Sequence, residues 1–176
     1  MKTLLATLLT VIFAVPGYVW AQNVGSAEET LKRKNIQLPA AASPVANYVP
    51  AVRVGNLLFL SGAGPEPTDP RGKVGKDLTL DQGYRAARAT GLNLLAATRA
   101  AVGSLDKVKR IVKVLGMVNS APGFTDQPKV INGFSDLMVE VFGEAIGKHA
   151  RSAVGMSDLP FNIAVEIEMI VEVESQ

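Results

Sequence analysis

The sequence predicts an α+β layer fold, one mixed β-sheet with two long helices packed on one face. Three observations predict it. Two stretches, from Asp81 to about Val102 and from Gln127 to Ala145, space their apolar residues as helices do. Short runs before, between and after them alternate apolar and polar residues as half-buried strands do. The resulting order, ββ-α-β-α-ββ, suits a single sheet with helices laid against it, with a parallel α/β layering as the alternative.

The elements follow in order. The first residues, "MKTLLATLLTVIFAVPGYVWAQ", carry Lys2, an uncharged apolar run from Leu4 to Val15, and a break at Pro16 and Gly17. Val19, Trp20 and Ala21 then form a small-x-small cleavage site before Gln22. The run is shorter than the roughly 20 apolar residues of a membrane span. Residues 1–21 are therefore expected to be a signal peptide, with an uncleaved anchor as the alternative. The mature chain is expected to be exported, periplasmic or secreted, and free of the membrane.

Residues 22–46 hold a short helix and a Pro/Ala linker. Ser26 followed by Glu29 is a capping box, and "LPAAASPVAN" leads into the domain proper, residues 47–176. There "YVPAVRVG" and "NLLFLSG" read as strands split by a turn at Gly55-Asn56. "AGPEPTDPRGKVGK" is a loop by its glycine and proline content. In the first long helix Tyr84, Ala87, Gly91, Leu94, Leu95 and Thr98 share one face. "DKVKRIVKVLGMVN" is a strand with Val112, Val114, Gly116 and Val118 on one side. Val130, Phe134, Leu137 and Val141 form the stripe of the second helix, and "RSAVGM" and "IAVEIEMIVEV" are the closing strands. Helices on one face leave the other face of the sheet in need of cover, which favours association through it.

Composition removes several kinds of chemistry. At 176 residues and 48% apolar the chain can bury one sizeable core. A formal charge of +2 gives little attraction for nucleic acid, so a nucleic-acid partner is not expected. The absence of cysteine excludes disulfides, thiolate metal sites and a cysteine nucleophile. With one histidine and no aspartate-rich spacing, no metal site is expected. "SGAGPEP" lacks the lysine and helix start of a phosphate loop, and no serine sits in a G-x-S-x-G elbow. The basic run "KVKRIVK" reads as a solvated sheet edge, with an RNA-binding patch as the alternative.

Arg151 and Glu166 remain. An arginine among small apolar residues offers a planar fork suited to a carboxylate. On the last strand Ile163, Val165, Ile167, Met169 and Val171 point one way and Glu166, Glu168 and Glu172 the other. Either the arginine pairs with a solvated acidic face, or it grips an anionic ligand while one carboxylate moves protons.

The stretches "NYVPAVRVGNLLFLSG", "LNLLAATRAAVGSLDKVKRIVKV", "VINGFSDLMVEVFGE" and "ARSAVGMSDLPFNIAVEIEMI", from roughly Asn47 to Val173, resemble the Rid (YjgF) family. These are reactive-intermediate deaminases often labelled endoribonuclease L-PSP. The combination of "ARS", "LP" and "EIE" is the most specific part of the resemblance, and the longer loop, the extra N-terminal helix and the "HARSAVG" form resemble a divergent branch. It implies a chorismate-mutase-like fold, a homotrimer, and a cleft at each subunit boundary. It further implies that Arg151 holds a substrate carboxylate and that Glu166 serves the attacking water. Tyr48, Ser61, Gly62, Asn132 and Ala153 match cleft positions. Two positions depart from the pattern: Ala153 replaces a common cysteine, leaving only its main chain to act, and Ala63 replaces the usual glutamine.

The function so implied is hydrolysis of small carboxylate-bearing imines or enamines to 2-keto acids and ammonia. No cofactor is expected, because a protonated imine is already electrophilic. A non-catalytic protein that binds small acids in the same cleft is the alternative, and RNA cleavage is a third. Arg151 and Glu166 favour the enzyme, whereas Ala63 and Ala153 favour the binder.

Overall fold

The computed structural model describes residues 25–43 and 46–175, so the leader expected at 1–21 lies outside the described residues. The short helix α1 spans Ala27–Arg33 and starts at the expected capping box: Ser26 Oγ accepts from the Glu29 amide, and Glu29 accepts from the Ser26 amide. Strands β1 (Ala51–Val54) and β2 (Leu57–Ala63) form an antiparallel hairpin around Gly55, whose φ of 60° suits the turn. The first of these strands begins three residues later than "YVPAVRVG" implied, leaving Tyr48 and Val49 exposed ahead of it.

Helix α2 (Leu80–Val102) opens on a second capping box, Thr79 with Gln82, and closes at Gly103, whose φ of 88° lies in the left-handed region. Strand β3 covers Val108–Asn119, α3 Gln127–Phe142, β4 Ala150–Met156 and β5 Val165–Val173. The second long helix ends three residues early. Gly143 takes a φ of 75°, and a separate turn of helix, α4 (Glu144–Gly147), follows it.

The sheet order is β1-β2-β5-β3-β4, parallel between β3 and β4 and antiparallel elsewhere, so the sheet is mixed as expected. Helices α2 and α3 pack together and against one face of it. Leu58, Leu60, Val114, Val118, Val165, Ile167, Met169 and Val171 meet Leu94, Leu95, Val130, Phe134, Leu137 and Val141 there, all buried. Each such side chain contributes about 1.5–3 kcal/mol relative to exposure. The other face carries Val52, Val54, Phe59, Val154 and Met156 exposed in this chain, interspersed with Glu166, Glu168 and Glu172.

The phase of β3 differs from expectation in one place. A register shift between Ile111 and Lys113 turns Ile111, not Val112, into the core. The basic run is edge-like only at its start. Strand β4 first pairs at Lys113, so residues 108–112 have a strand neighbour on one side alone. There Lys109 pairs with Glu174 at 2.6 Å and Lys107 Nζ donates to the Val102 carbonyl at 2.9 Å.

Gly133 lets α3 approach α2. A Cβ at that position would overlap the Tyr84 carbonyl oxygen, a backbone atom that cannot swing aside. Gly133→Ala should therefore destabilise the fold by about 1–3 kcal/mol, the usual cost of overpacking. Chemical denaturation measures it, and an unchanged midpoint would show that the helices can separate freely.

Candidate functional site

Arg151 lies on β4 opposite Val114, so its side chain takes the helix-covered face of the sheet and reaches across to α3. Its Nη1 donates to Asn132 Oδ1 at 3.0 Å and to Ser135 Oγ at 2.9 Å. Nη2 reaches the Pro128 carbonyl at 3.4 Å. Asn132 and Ser135 are three apart and therefore share one face of the helix. Both Nη1 hydrogens are thus engaged. Nε has no partner among the described residues and Nη2 has only the long contact to Pro128, and together these two nitrogens form the side of a guanidinium that takes a carboxylate bidentately.

Glu166 lies on β5 opposite Met117. Its carboxylate folds over Gly62, where a Cβ would overlap Glu166 Oε1, so the glycine is what admits this rotamer. A register shift in β2 between Leu60 and Ala63 sets Gly62 in that position. The half-buried Glu166 carboxylate accepts no hydrogen bond from the described residues. Burial, with the Glu168 carboxylate adding to it, pushes its pKa above the usual carboxylate range. Such a group can accept a proton near neutral pH more readily than an ordinary glutamate.

Tyr48, Ser61 and Gly62 line one cavity of ≈ 500 Å³ together with Pro50, Ala63 and Asn93. The Ser61 hydroxyl donates to the Val49 carbonyl at 2.7 Å, which ties the residue beside Tyr48 to β2. The expected site residues therefore form two groups. Arg151 and Asn132 touch, with Ala153 two positions further along the same face of β4. Tyr48, Ser61 and Gly62 share the cavity at the far end of β2, and Glu166 meets them at Gly62.

These two groups do not meet within one chain. Arg151 is level with Val114 and Glu166 with Met117, three residues further along β3. An odd offset on a strand means opposite faces. The arginine points to the helices and the glutamate to the open side.

Two residues that no sequence signal singled out complete the arginine's surroundings. Ser135, a serine inside a helix, carries no pattern that marks it. His149 stands out only as the lone histidine. Its Nε2 lies 3.1 Å from Ser135 Oγ and its Nδ1 lies 2.7 Å from the Gly147 carbonyl, and Phe134 packs edge-on against the ring. Burial lowers the imidazole pKa, opposed by the Gly147 carbonyl and assisted by the Arg151 charge.

Residues 28–173 match the family model described as "YjgF/chorismate_mutase-like, putative endoribonuclease". The chain is 46% identical to protein TCP17 of Trypanosoma cruzi over 154 residues, which is 86% of this chain and 96% of that protein. It is 31% identical to a 2-iminobutanoate/2-iminopropanoate deaminase of Dermatophagoides farinae, covering 81% of this chain and 98% of that one. Among solved structures, the Agrobacterium tumefaciens protein Atu1372 superposes with a TM-score of 0.75 at 44% identity, over 84% of this chain and 91% of the other.

Proposed function

The chain belongs to the YjgF/chorismate-mutase-like family, and from that premise we propose that it hydrolyses small 2-imino acids to 2-keto acids and ammonia. Two groups carry this reading: an arginine whose Nε has no partner among the described residues and whose Nη2 has only a 3.4 Å contact, and a half-buried carboxylate with a raised pKa. The similarity to a 2-iminobutanoate/2-iminopropanoate deaminase supports the reaction class.

Because the two groups face opposite sides of one sheet, the site needs a second copy of the chain. Arg151 of one copy and Glu166 of the next line a shared cleft in this proposal, and the apolar open face of the sheet is the surface that associates. A closed ring of three copies, as the family resemblance implies, covers every such face. Arg151 grips the substrate carboxylate through Nε and Nη2. Glu166 takes a proton from water as the oxygen bonds to the C=N carbon. The same proton then goes to nitrogen. As the C–N bond breaks, the hydroxyl gives its own proton back to the Glu166 carboxylate and becomes the C=O of the 2-keto acid, and ammonia leaves carrying the bonding pair.

Ammonia release from 2-iminopropanoate, generated in situ by an amino-acid oxidase, tests the proposal on the purified protein. No release above the spontaneous rate would overturn it. Arg151→Lys keeps the charge but loses the fork, and should cost about 1.5–3 kcal/mol in substrate recognition, the worth of a charged hydrogen bond. Unchanged kcat/KM in that variant would make the arginine structural.

A further inference from the structure

Ser135 and His149 form a hydrogen-bonded chain with a single permitted direction. A guanidinium only donates, so Ser135 Oγ must accept from Arg151 Nη1. The hydroxyl proton then points at His149 Nε2, the acceptor 3.1 Å away. The Gly147 carbonyl only accepts, so His149 Nδ1 must carry the ring hydrogen. The neutral Nδ1–H tautomer is therefore the one that satisfies all three contacts, and the burial that lowers the imidazole pKa favours the same neutral form. The ring is itself fixed, by its bond to the main chain and by the Phe134 ring packed edge-on with 5.9 Å between ring centres.

This chain bears on Nη1 of Arg151 and leaves Nε, on the opposite side of the guanidinium, without a partner among the described residues. Arg151 sits on an edge strand, and a long side chain there has rotamer freedom that the contact to Asn132 and the longer one to the Pro128 carbonyl leave partly open. A second donor–acceptor contact at the same Nη1 defines the plane of the group. We infer that Ser135 and His149 are positioning residues for Arg151, holding its guanidinium plane so that the Nε–Nη2 side is presented to a ligand carboxylate. The inference rests on the proposed role of Arg151 as carboxylate receptor, and neither Ser135 nor His149 touches substrate in it.

Two measurements on the full chain test it. The first needs no ligand: hydrogen exchange and rotation of the Arg151 guanidinium, followed by ¹⁵N NMR. Exchange at Nη1 should accelerate about tenfold in Ser135→Ala and in His149→Asn, the loss expected for one hydrogen bond. It should stay near the parent value in Ser135→Thr, which keeps a hydroxyl. It should also stay there in His149→Gln, whose amide oxygen can occupy the place of Nε2.

The second is a double-mutant cycle on pyruvate binding. Ser135→Ala should weaken binding about five- to tenfold in the parent, and should have no further effect in an Arg151→Lys background. Equal losses in both backgrounds would mean a general structural role and overturn the inference. Unaltered guanidinium exchange in Ser135→Ala and His149→Asn would overturn it as well. A parent that binds no pyruvate counts against the proposed acid site, not against positioning, and the NMR arm then decides this inference alone.

Discussion

Glu166→Gln should lower the rate of imine hydrolysis by about 10²- to 10⁴-fold, the range of a general acid–base group. Glutamine keeps the size and one acceptor over Gly62 but takes no proton. Binding of a 2-keto acid should persist or tighten slightly, because a negative charge near the bound carboxylate is gone. Glu168 lies on the same face, about 7 Å along the strand, and is exposed. Glu168→Gln should leave the plateau rate nearly intact. Glu168 contributes to the raised pKa of Glu166, however, so its removal should move the acid limb of the pH–rate profile to lower pH. Comparable losses of plateau rate in both variants would place the chemistry elsewhere.

The same shift has a stability sign. A carboxyl whose folded pKa lies above its unfolded value binds its proton more tightly when folded. Stability therefore falls as pH rises from the ordinary carboxylate value to the raised one, and stays lower above it. Glu166→Gln removes that penalty. The variant should melt at a higher temperature than the parent at neutral pH while turning over far more slowly, and a lower melting temperature would show that the carboxylate is held by a favourable partner.

Co-expression of two impaired variants should restore activity. If Arg151 and Glu166 of one site come from different copies, a site in a mixed ring is whole when an Arg151→Lys copy supplies the glutamate and a Glu166→Gln copy supplies the arginine. Random mixing in equal amounts makes about a quarter of the sites whole, whatever the number of copies in a closed ring. Sites built within one chain would gain nothing from mixing. Activity of the mixture no greater than the average of the two variants would therefore exclude a shared site.

Much of the fold could be read from side-chain periodicity. The stripe Val130, Phe134, Leu137, Val141 and the alternation of β5 both follow from local spacing, and both are buried as expected. Ile111 replacing Val112 in the core could not be read, because a bulge changes the phase of a strand without a residue type that announces it. The site divides along the same line. Arg151 and Glu166 were visible as residue types in context, but Glu166 and Glu168 are equivalent by alternation. Only the approach of Gly62 to one of them separates a half-buried carboxylate from a solvated one. That the arginine and glutamate face apart depends on the pairing of β4 and β5 with β3. Ser135 becomes a partner of Arg151 only because α3 crosses beside β4.

The strand order also governs when the sheet can exist. Strand β5 comes last in the chain yet lies at the centre, and β2 and β3 touch each other only through it. Until residues 165–173 arrive, the chain can form a β1–β2 hairpin and a β3–β4 pair, with no strand pairing between the two ladders. Leu57 must wait for Glu172. Contacts of such wide sequence separation make closure slow, and they leave the inner edges of both ladders open during synthesis. A chain interrupted before Val165 would carry two strand ladders with exposed inner edges, linked only through α2 and α3, a substrate for chaperones and proteases instead of a smaller version of the protein.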